Sequence, residues 1–571
     1  MKNWQIRPKI SQKDQDKFPE INPLILQLLA NRDLKTQAQI DEFLNPDYGT
    51  DLHDPFLFVD MEKAVERIMK GIEKKEKMVV YGDYDADGVS STAILFSALE
   101  AFGADVDVYI PFRETEGYGL NMAAVKKLID QGVKLIVTVD CGTSNAPEVE
   151  ELVKNNVDII ITDHHQQPLV MPEAYAIINQ NTDRDTYPYK NLCGAGVAFK
   201  VVQALTLKQA NYQVEQLADG WEKWLLDLVA IGTVADMMKL IGENRTLVKY
   251  GLVVLNKTKR PGLQNLIKIA NGDKLLNIDE KTIGFQIGPR LNAAGRLDHA
   301  GVAYRLLVTE DKEEATKLAE NINATNKQRQ TLTDLIAQEA RTILGEPNGR
   351  KLLAAVGDGW PMGVVGLIAG RIADQYYTPT LVISKFGGEI IGSGRSIEGF
   401  NIVKALQECD QYLSRYGGHA QACGFTLKDE KQVDEFIAKM TEIATREIGD
   451  KVLVPNLEIE SEVKLSEINW QLFENLEIFK PFGEGNPKPK FVAKSLNITE
   501  IAGVGADNKH LRLMVSQNDE NSKKLIGFGF GEWLEKLKVG DLIDVVFEVD
   551  VNEWNGNREL QLKIIDLKQS N

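Results

Sequence analysis

Nearly continuous apolar runs, separated by stretches of helical spacing, dominate the chain from about residue 60 to 300. Met78–Tyr81 (MVVY), Leu135–Val139 (LIVTV) and Val157–Thr162 (VDIIIT) have the length and composition of strands buried on both faces. Val89–Ala101 and Ala123–Gln131 lie between them with the spacing of helices. This alternation predicts an α/β domain with a parallel sheet covered on both sides. Residues 311–344 contain neither Gly nor Pro, and Leu318, Ile322, Leu332, Ile336, Ala340 and Ile343 recur at helical intervals. One long connecting helix is expected there, stopped by Gly345-Glu346-Pro347-Asn348-Gly349. A smaller α/β unit follows, then a break at Val454-Pro455. The tail carries short alternating segments, Leu511–Val515, Leu542–Val551 and Leu560–Ile565, with Asn555-Gly556-Asn557 as a hairpin tip. That pattern suits a small β-barrel of the OB type.

The expected order is therefore a helical lead-in (1–50, ending near Asn45-Pro46), the larger α/β domain (51–310) and the connecting helix (311–345). The smaller α/β domain (346–450) and the OB-type barrel (456–571) complete it. A chain of 571 residues is too long for one core, which agrees with several domains. Met1–Ser11 holds no apolar run of signal-peptide type, and no stretch approaches the roughly 18 apolar residues of a membrane span. Four scattered cysteines, Cys141, Cys193, Cys409 and Cys423, form no C-x-x-C pair, so a reducing, cytoplasmic setting is expected. The net charge of −17 gives the chain no general attraction for nucleic acid. Any polynucleotide would have to be held in a locally basic groove or through bound cations.

The chemistry lies at the ends of the predicted strands. Tyr81 is followed by Gly82-Asp83-Tyr84-Asp85-Ala86-Asp87-Gly88, Val139 by Asp140, and Thr162 by Asp163-His164-His165. The apolar, helix-like Leu228–Val234 leads to Asp236. Ligands of an open parallel sheet bind beyond the carboxyl ends of its strands, so these groups should converge on one cleft. A lone Asp after a strand is usually a helix N-cap or turn residue. Asp-x-Asp-x-Asp-Gly alone also suggests a calcium loop, but the Glu required at its twelfth position is Ile94 here. Four such signals in one domain are a different matter. Carboxylates with imidazoles and no thiolate favour hard or borderline divalent ions, Mn²⁺ or Mg²⁺. So many carboxylates need more than one cation to offset their repulsion. Two ions about 3.5–4 Å apart suit phosphoester hydrolysis.

Asp85-x-Asp87, Asp140, Asp163-His164-His165 and Asp236 resemble the four signature motifs of the DHH phosphoesterase superfamily. The wording around them, VVYGDYDADGVSSTAIL, VTVDCGTS, ITDHHQ and DLVAIGTVADMM, is similar to its RecJ family in particular. Tyr81 stands where many superfamily members carry a His, as in RecJ-like members. The resemblance implies Asp85, Asp140, His164 and Asp236 as metal ligands of a two-ion site, completed or supported by Asp83 and Asp87. His165 would touch a metal or the scissile phosphate, and activated water would need no side-chain nucleophile.

Further matches lie on the substrate side. Ile287–Arg296 (IGPRLNAAGR) resembles a RecJ stretch whose Arg290 and Arg296 can fork onto phosphate oxygens. Arg113, followed by Gly117-Tyr118-Gly119-Leu120, is a candidate for a pocket at the phosphate end of the strand, with Tyr118 able to stack on a base. Gly392-Ser393-Gly394-Arg395-Ser396 and Tyr416-Gly417-Gly418-His419 resemble the DHH-associated domain, where such elements grip substrate; Ser393, Arg395, Gly417, Gly418 and His419 are the candidates. RecJ-like chains commonly show Trp-His ahead of the next glycine segment. Here Trp360-Pro361 stands instead, so any contribution from that His is missing. Pro481–Pro487, Lys509-His510-Leu511 and Trp554-Asn555-Gly556 resemble the family's OB region, where Trp554 could stack on a base or belong to the core.

The implied activity is 5′→3′ digestion of single-stranded DNA to mononucleotides, in recombination and repair, by a monomeric cytoplasmic enzyme. Single-strand-binding protein and a helicase are the implied partners. The rivals are a DHH-type oligoribonuclease or nucleotide phosphodiesterase and, in another class, an inactive scaffold that binds single strands.

Overall fold

The computed structural model describes residues 2–272, 277–518, 522–554 and 556–570, with the side chain of Trp554 excepted. The chain divides into two compact units. One comprises residues 52–238 and 247–453; the other comprises 1–51, 239–246 and 454–571.

The larger unit contains two sheets. The first is five-stranded and wholly parallel, in the order Val106–Tyr109, Met78–Tyr81, Leu135–Val139, Asp158–Thr162, Ala176–Ile178. Its three central strands are almost fully buried, as their unbroken apolar runs require. The two outer strands were not among those expected from the sequence. Val106–Tyr109 carries Asp107 at its centre and Ala176–Ile178 is only three residues long, so neither stands out as a run. The helix expected at Val89–Ala101 begins earlier, at Ala86, because Asp85 caps it.

The connecting helix runs from Lys312 to Leu344. Asp311 caps its start by accepting from Glu313 N and Glu314 N, and Gly345, at φ 58°, ends it. The second sheet has the order Leu413–His419, Ala422–Leu427, Glu389–Arg395, Thr380–Phe386, Leu353–Asp358. Only the last pair is parallel.

In the smaller unit the strand Asn3–Ile6 pairs in parallel with Asn456–Ile459. A helical reading of residues 1–50 misses this strand, whose partner lies some 450 residues away in sequence. The helices Pro23–Asn31 and Gln37–Leu44 share one core with the tail strands, through Leu28, Leu29, Phe43, Phe479 and Phe491. Phe491–Val504 pairs with both His510–Ser516 and Leu542–Trp554, which closes the tail sheet into a barrel. Leu542–Trp554 and Asn557–Gln569 form the expected hairpin, with Gly556 at φ 79°. The Trp554 side chain and Asn555 lie outside the described residues.

Candidate active site

Each acidic motif sits where a strand or helix of the larger unit stops. Asp85 follows Met78–Tyr81 and accepts from Asp87 N (2.9 Å) and Gly88 N (3.0 Å) to start its helix. Asp140 follows Leu135–Val139 in a left-handed conformation, φ 61°, which Asp adopts more readily than most non-glycine residues. Its backbone N–H still reaches Thr162 O at 3.0 Å, so the turn begins while the sheet is holding it. Asp163 follows Asp158–Thr162, and Asp236 terminates the helix Leu226–Ala235.

These ends bring the groups together. His164 Nε2 lies 3.1 Å from Asp140 Oδ1, 3.7 Å from Asp236 Oδ2 and 3.9 Å from Asp87 Oδ2. Three overlapping groups, Asp140–His164–His165, Asp87–His164–Asp236 and Asp83–Asp85–Asp140, each place their ligand atoms within 4.8 Å of one another. Asp140 and His164 each belong to two of them, so the cluster is continuous and offers more than one position for a cation.

The electrostatics are those of a site built around missing positive charge. Among the described residues, Asp83 Oδ1 and Asp140 Oδ1 are buried without a hydrogen-bond partner. Burial, then the charges of Asp87, Asp85, Asp83 and Asp236, pushes the Asp140 carboxyl well above the usual range. Asp83 moves the same way through burial and Asp85. Asp87 is pushed up to about 6 by burial and Asp85, and Asp236 to about 8 by burial, Asp87 and Asp85. Burial and neighbouring His165 push His164 down to about 4, which keeps its imidazole neutral and able to ligate. Orphaned carboxylate oxygens facing a neutral imidazole, with no thiolate ligand in these groups, fit a pair of hard or borderline divalent cations.

The cluster is braced from behind. Asp163 Oδ1 accepts from His164 N (2.7 Å) and His165 N (3.1 Å) and lies 2.7 Å from His165 Nδ1, while Oδ2 accepts from Thr143 N (3.0 Å). Burial opposes ionisation here, yet the His165 contact holds this carboxyl well below its ordinary range. In return, against its own burial, His165 is raised to about 9 by Asp163. Asp87 accepts from Gly194 N (2.6 Å) and Ala195 N (2.9 Å), which docks the helix Gly194–Lys208 on the site. Gly194 has to be glycine, since a Cβ there would lie 2.6 Å from Asp140 Cβ. Cys141 is fully buried, and burial with the neighbouring carboxylates pushes its thiol far up, so it offers no nucleophile.

A cleft of about 750 Å³ runs between the two sheet domains of this unit. Tyr84, Arg113, Tyr118 and Arg296 line one side; Ser393, Arg395, Arg415 and Gly417 line the other. Four arginines against Glu114 and Glu116 make the cleft locally basic in a chain of net charge −17. Arg296 is pushed down to about 10 by burial and then by repulsion from Arg113 and Arg329, as expected of crowded cations awaiting an anion. Its Nη1 donates to Gly363 O (2.8 Å). Arg395 donates to Ser393 Oγ (3.0 Å), and Ser393 Oγ donates to Cys423 O (3.0 Å). Tyr118 OH donates to Asp140 O (3.0 Å) and lies 3.0 Å from His165 Nδ1, linking cleft and cluster.

Other candidates stand apart from the cleft lining. Arg290 donates to Asn323 Oδ1 (3.2 Å) and Gln286 O (2.8 Å), bracing its helix on the connecting helix. Gly418 and His419 lie at the exposed end of Leu413–His419. The stretch Ile287–Arg296 is helical: Gly288–Leu297 packs so closely on the first motif that Asn292 Oδ1 accepts from Ala86 N (2.9 Å). Glycines 392 and 394 lie in a central strand whose N–H groups are used by the sheet, and a Cβ on Gly392 would strike the Phe425 ring. They serve packing there. By contrast, Gly417 and its cross-strand partner Gly424 face open space.

Sequence reasoning missed Tyr84, whose ring lies 4.9 Å beneath the Arg113 guanidinium, and Arg415. The signals were present: an aromatic between two site aspartates, and an arginine two residues before Gly417 on one face of a strand. Arg329, on the connecting helix, was also missed; its Nε is buried without a hydrogen-bond partner among the described residues.

A parallel sheet whose carboxyl ends carry a buried carboxylate–imidazole cluster, facing a second sheet across a basic cleft, defines the DHH class of protein. The DHH family N-terminal domain matches residues 77–233, the DHHA1 domain 348–446 and the RecJ OB domain 459–566. The single-stranded-DNA-specific exonuclease RecJ of Bacillus subtilis is 36% identical over 98% of this chain and 70% of its own length. Its namesake from Escherichia coli is 32% identical over 98% of both. The chain belongs to the RecJ family. Its fold superposes on the crystal structure of Thermus thermophilus RecJ in complex with Mn²⁺ with a TM-score of 0.85 and 28% identity, covering 100% of this chain and 80% of that one. A second solved structure, exonuclease RecJ bound to manganese, gives a TM-score of 0.61 at 33% identity over 70% of this chain and 99% of that one.

Proposed function

We propose that the protein is a metal-dependent exonuclease that hydrolyses single-stranded DNA from the 5′ end to mononucleotides, in recombination and repair. The observation that carries this reading is the continuous cluster of orphaned carboxylate oxygens and neutral imidazole beside a basic cleft. Asp85, Asp140, His164 and Asp236 would hold two divalent cations, Mn²⁺ or Mg²⁺, with Asp83 and Asp87 completing and supporting the shell. When bound, such a pair would supply an activated water and neutralise the charge of the attacked phosphate.

The chain's own residues do the rest. Asp163 orients His165 toward the scissile phosphate, and Tyr118 ties the cleft floor to the Asp140 turn. Arg113, Arg395 and Ser393 take the terminal phosphate, while Arg296 and the open surface at Gly417 receive the strand. Arginine forks suit phosphate oxygens better than lysine does.

The finer readings rest on the family resemblance: a monomer, with single-strand-binding protein and a helicase as partners. The four cysteines, all free and buried, support a reducing cytoplasm. Among the described residues no helix is long and apolar enough to cross a membrane.

The test is a polarity assay on strands labelled at either end, with Mn²⁺, with Mg²⁺ and with chelator. Mononucleotides should leave from the 5′ end only, and chelator should stop the reaction. Release from the 3′ end, or cleavage of dinucleotides in preference to long strands, would refute the reading.

A further inference from the structure

Two carboxylates, Glu114 and Glu116, line a cleft otherwise furnished with arginines. A negative charge so placed weakens the attraction of the cleft for a phosphate, so its presence calls for a reason. Glu116 lies in the loop that connects the strand Val106–Tyr109 to the helix Met122–Asp130. Its Oε1 accepts from Tyr109 OH (2.6 Å) and Asn121 Nδ2 (3.1 Å), and its Oε2 from Phe112 N (2.8 Å). Its own backbone N–H donates to Phe112 O (2.8 Å). Phe112 and Glu116 are thus bonded twice, and the turn they close carries Arg113.

The turn is anchored on both sides. The Phe112 ring packs 4.3 Å from His299, whose Nε2 lies 3.0 Å from Ile110 O. Beyond Glu116 the chain swings through Gly117 (φ 80°) and Gly119 (φ 76°), conformations that favour glycine, to place Tyr118 OH on Asp140 O. Glu116 therefore spends its oxygens on the loop itself, on the strand below and on the helix beyond. Among the described residues it forms no ion pair with an arginine of the cleft.

We propose that Glu116 is a positioning residue: it clamps the Phe112–Glu116 turn so that Arg113 meets the terminal 5′ phosphate, and end recognition depends on a carboxylate that never touches the strand. This rests on the reading of the Arg113 pocket as the 5′-phosphate site. A carboxylate suits the task because charge-assisted hydrogen bonds are short and directional. Without it, Arg113 would keep its charge but lose its fixed approach, and orientation is what a small pocket contributes to binding.

The test compares KM for 5′-phosphorylated and 5′-hydroxyl strands of one sequence, with the full chain and Mn²⁺. The proteins are the wild type, Glu116→Ala, Glu116→Gln, Tyr109→Phe and Arg113→Ala. The wild type should favour the phosphorylated strand. Glu116→Ala should reduce the ratio of KM for the hydroxyl strand to KM for the phosphorylated strand by about tenfold, the effect of losing one charge-assisted bond from Arg113 to the phosphate. Glu116→Gln, which keeps one acceptor, and Tyr109→Phe, which removes one donor outside the cleft, should shift the ratio less and in the same direction. If Arg113→Ala abolishes the preference while every Glu116 and Tyr109 variant keeps it, the clamp is overturned and the pocket reading stands. The clamp is equally overturned if Glu116→Ala weakens both strands alike. A wild type without preference, or an Arg113→Ala variant that retains it, removes the pocket reading and the clamp with it.

Discussion

The two sheets of the larger unit carry their polar groups in opposite ways. In the parallel sheet the functional groups stand at the strand ends, buried, crowded with like charge and, among the described residues, partly without hydrogen-bond partners. In the mixed sheet they stand on the face, and they are already satisfied: Arg395 rests on Ser393 and Gly394 O, and Ser393 on Cys423 O. A buried carboxylate without a partner costs several kcal/mol, so the first arrangement is complete only when cations bind. The second is complete without ligand, and binding needs only a change of partner. On the proposed function, one sheet carries the chemistry and the other recognises the strand.

The contrast can be broken first at Asp140. Asp140→Asn preserves shape and tolerates the left-handed backbone, but removes charge shared by two of the three ligand groups. Steady-state hydrolysis of a long single strand should fall about a thousandfold or more, the scale of several kcal/mol in the transition state. Activity within tenfold of wild type would take Asp140 out of the mechanism. On the facing sheet, Arg395→Lys keeps the charge and loses the fork. We expect KM to rise about 10–100-fold, with kcat much less affected. An unchanged KM would show that the face merely frames the cleft.

The smallest effect sharpens the difference in electrostatics. In chelated protein the folded carboxyls are raised, Asp87 to about 6 and Asp236 to about 8, against unfolded values near 3.8. Such groups favour the fold at low pH, and that contribution is lost as pH rises from about 4 toward 8. The melting temperature of chelated protein should therefore fall by a few degrees between pH 5.5 and 8, at roughly 1 °C per kcal/mol for a unit of this size. Mn²⁺, which binds the ionised form, should raise it more at pH 8 than at pH 5.5. Equal gains at both pH values would mean that these carboxylates hold no cation.

Much of the site was legible because its parts are local. Asp85, Asp140 and Asp163 follow apolar runs that can only be buried strands, and the rule for ligands at parallel-strand ends gathers them without a structure. Arg113, Arg296, Ser393 and Arg395 came through likeness to a family, and the cleft includes all four. Arg290, from the same stretch as Arg296, braces two helices instead, because a helix turns six residues through well over a full turn and presents them to different neighbours. Tyr84, Arg415 and Arg329 were missed, since aromatic and basic residues are common and nothing local marks which of them face a cleft.

By itself, the sequence determined the three central strands of the parallel sheet, the long connecting helix and the carboxylate–imidazole chemistry, all of which follow from short-range periodicity and residue type. Only the tertiary structure decided which strand ends meet, which glycines serve packing rather than backbone contact, and that Asn3–Ile6 pairs with a strand some 450 residues onward. Pairing over such a distance depends on the shape and hydrogen-bonding needs of both edges at once, and neither edge records its partner in its own residues.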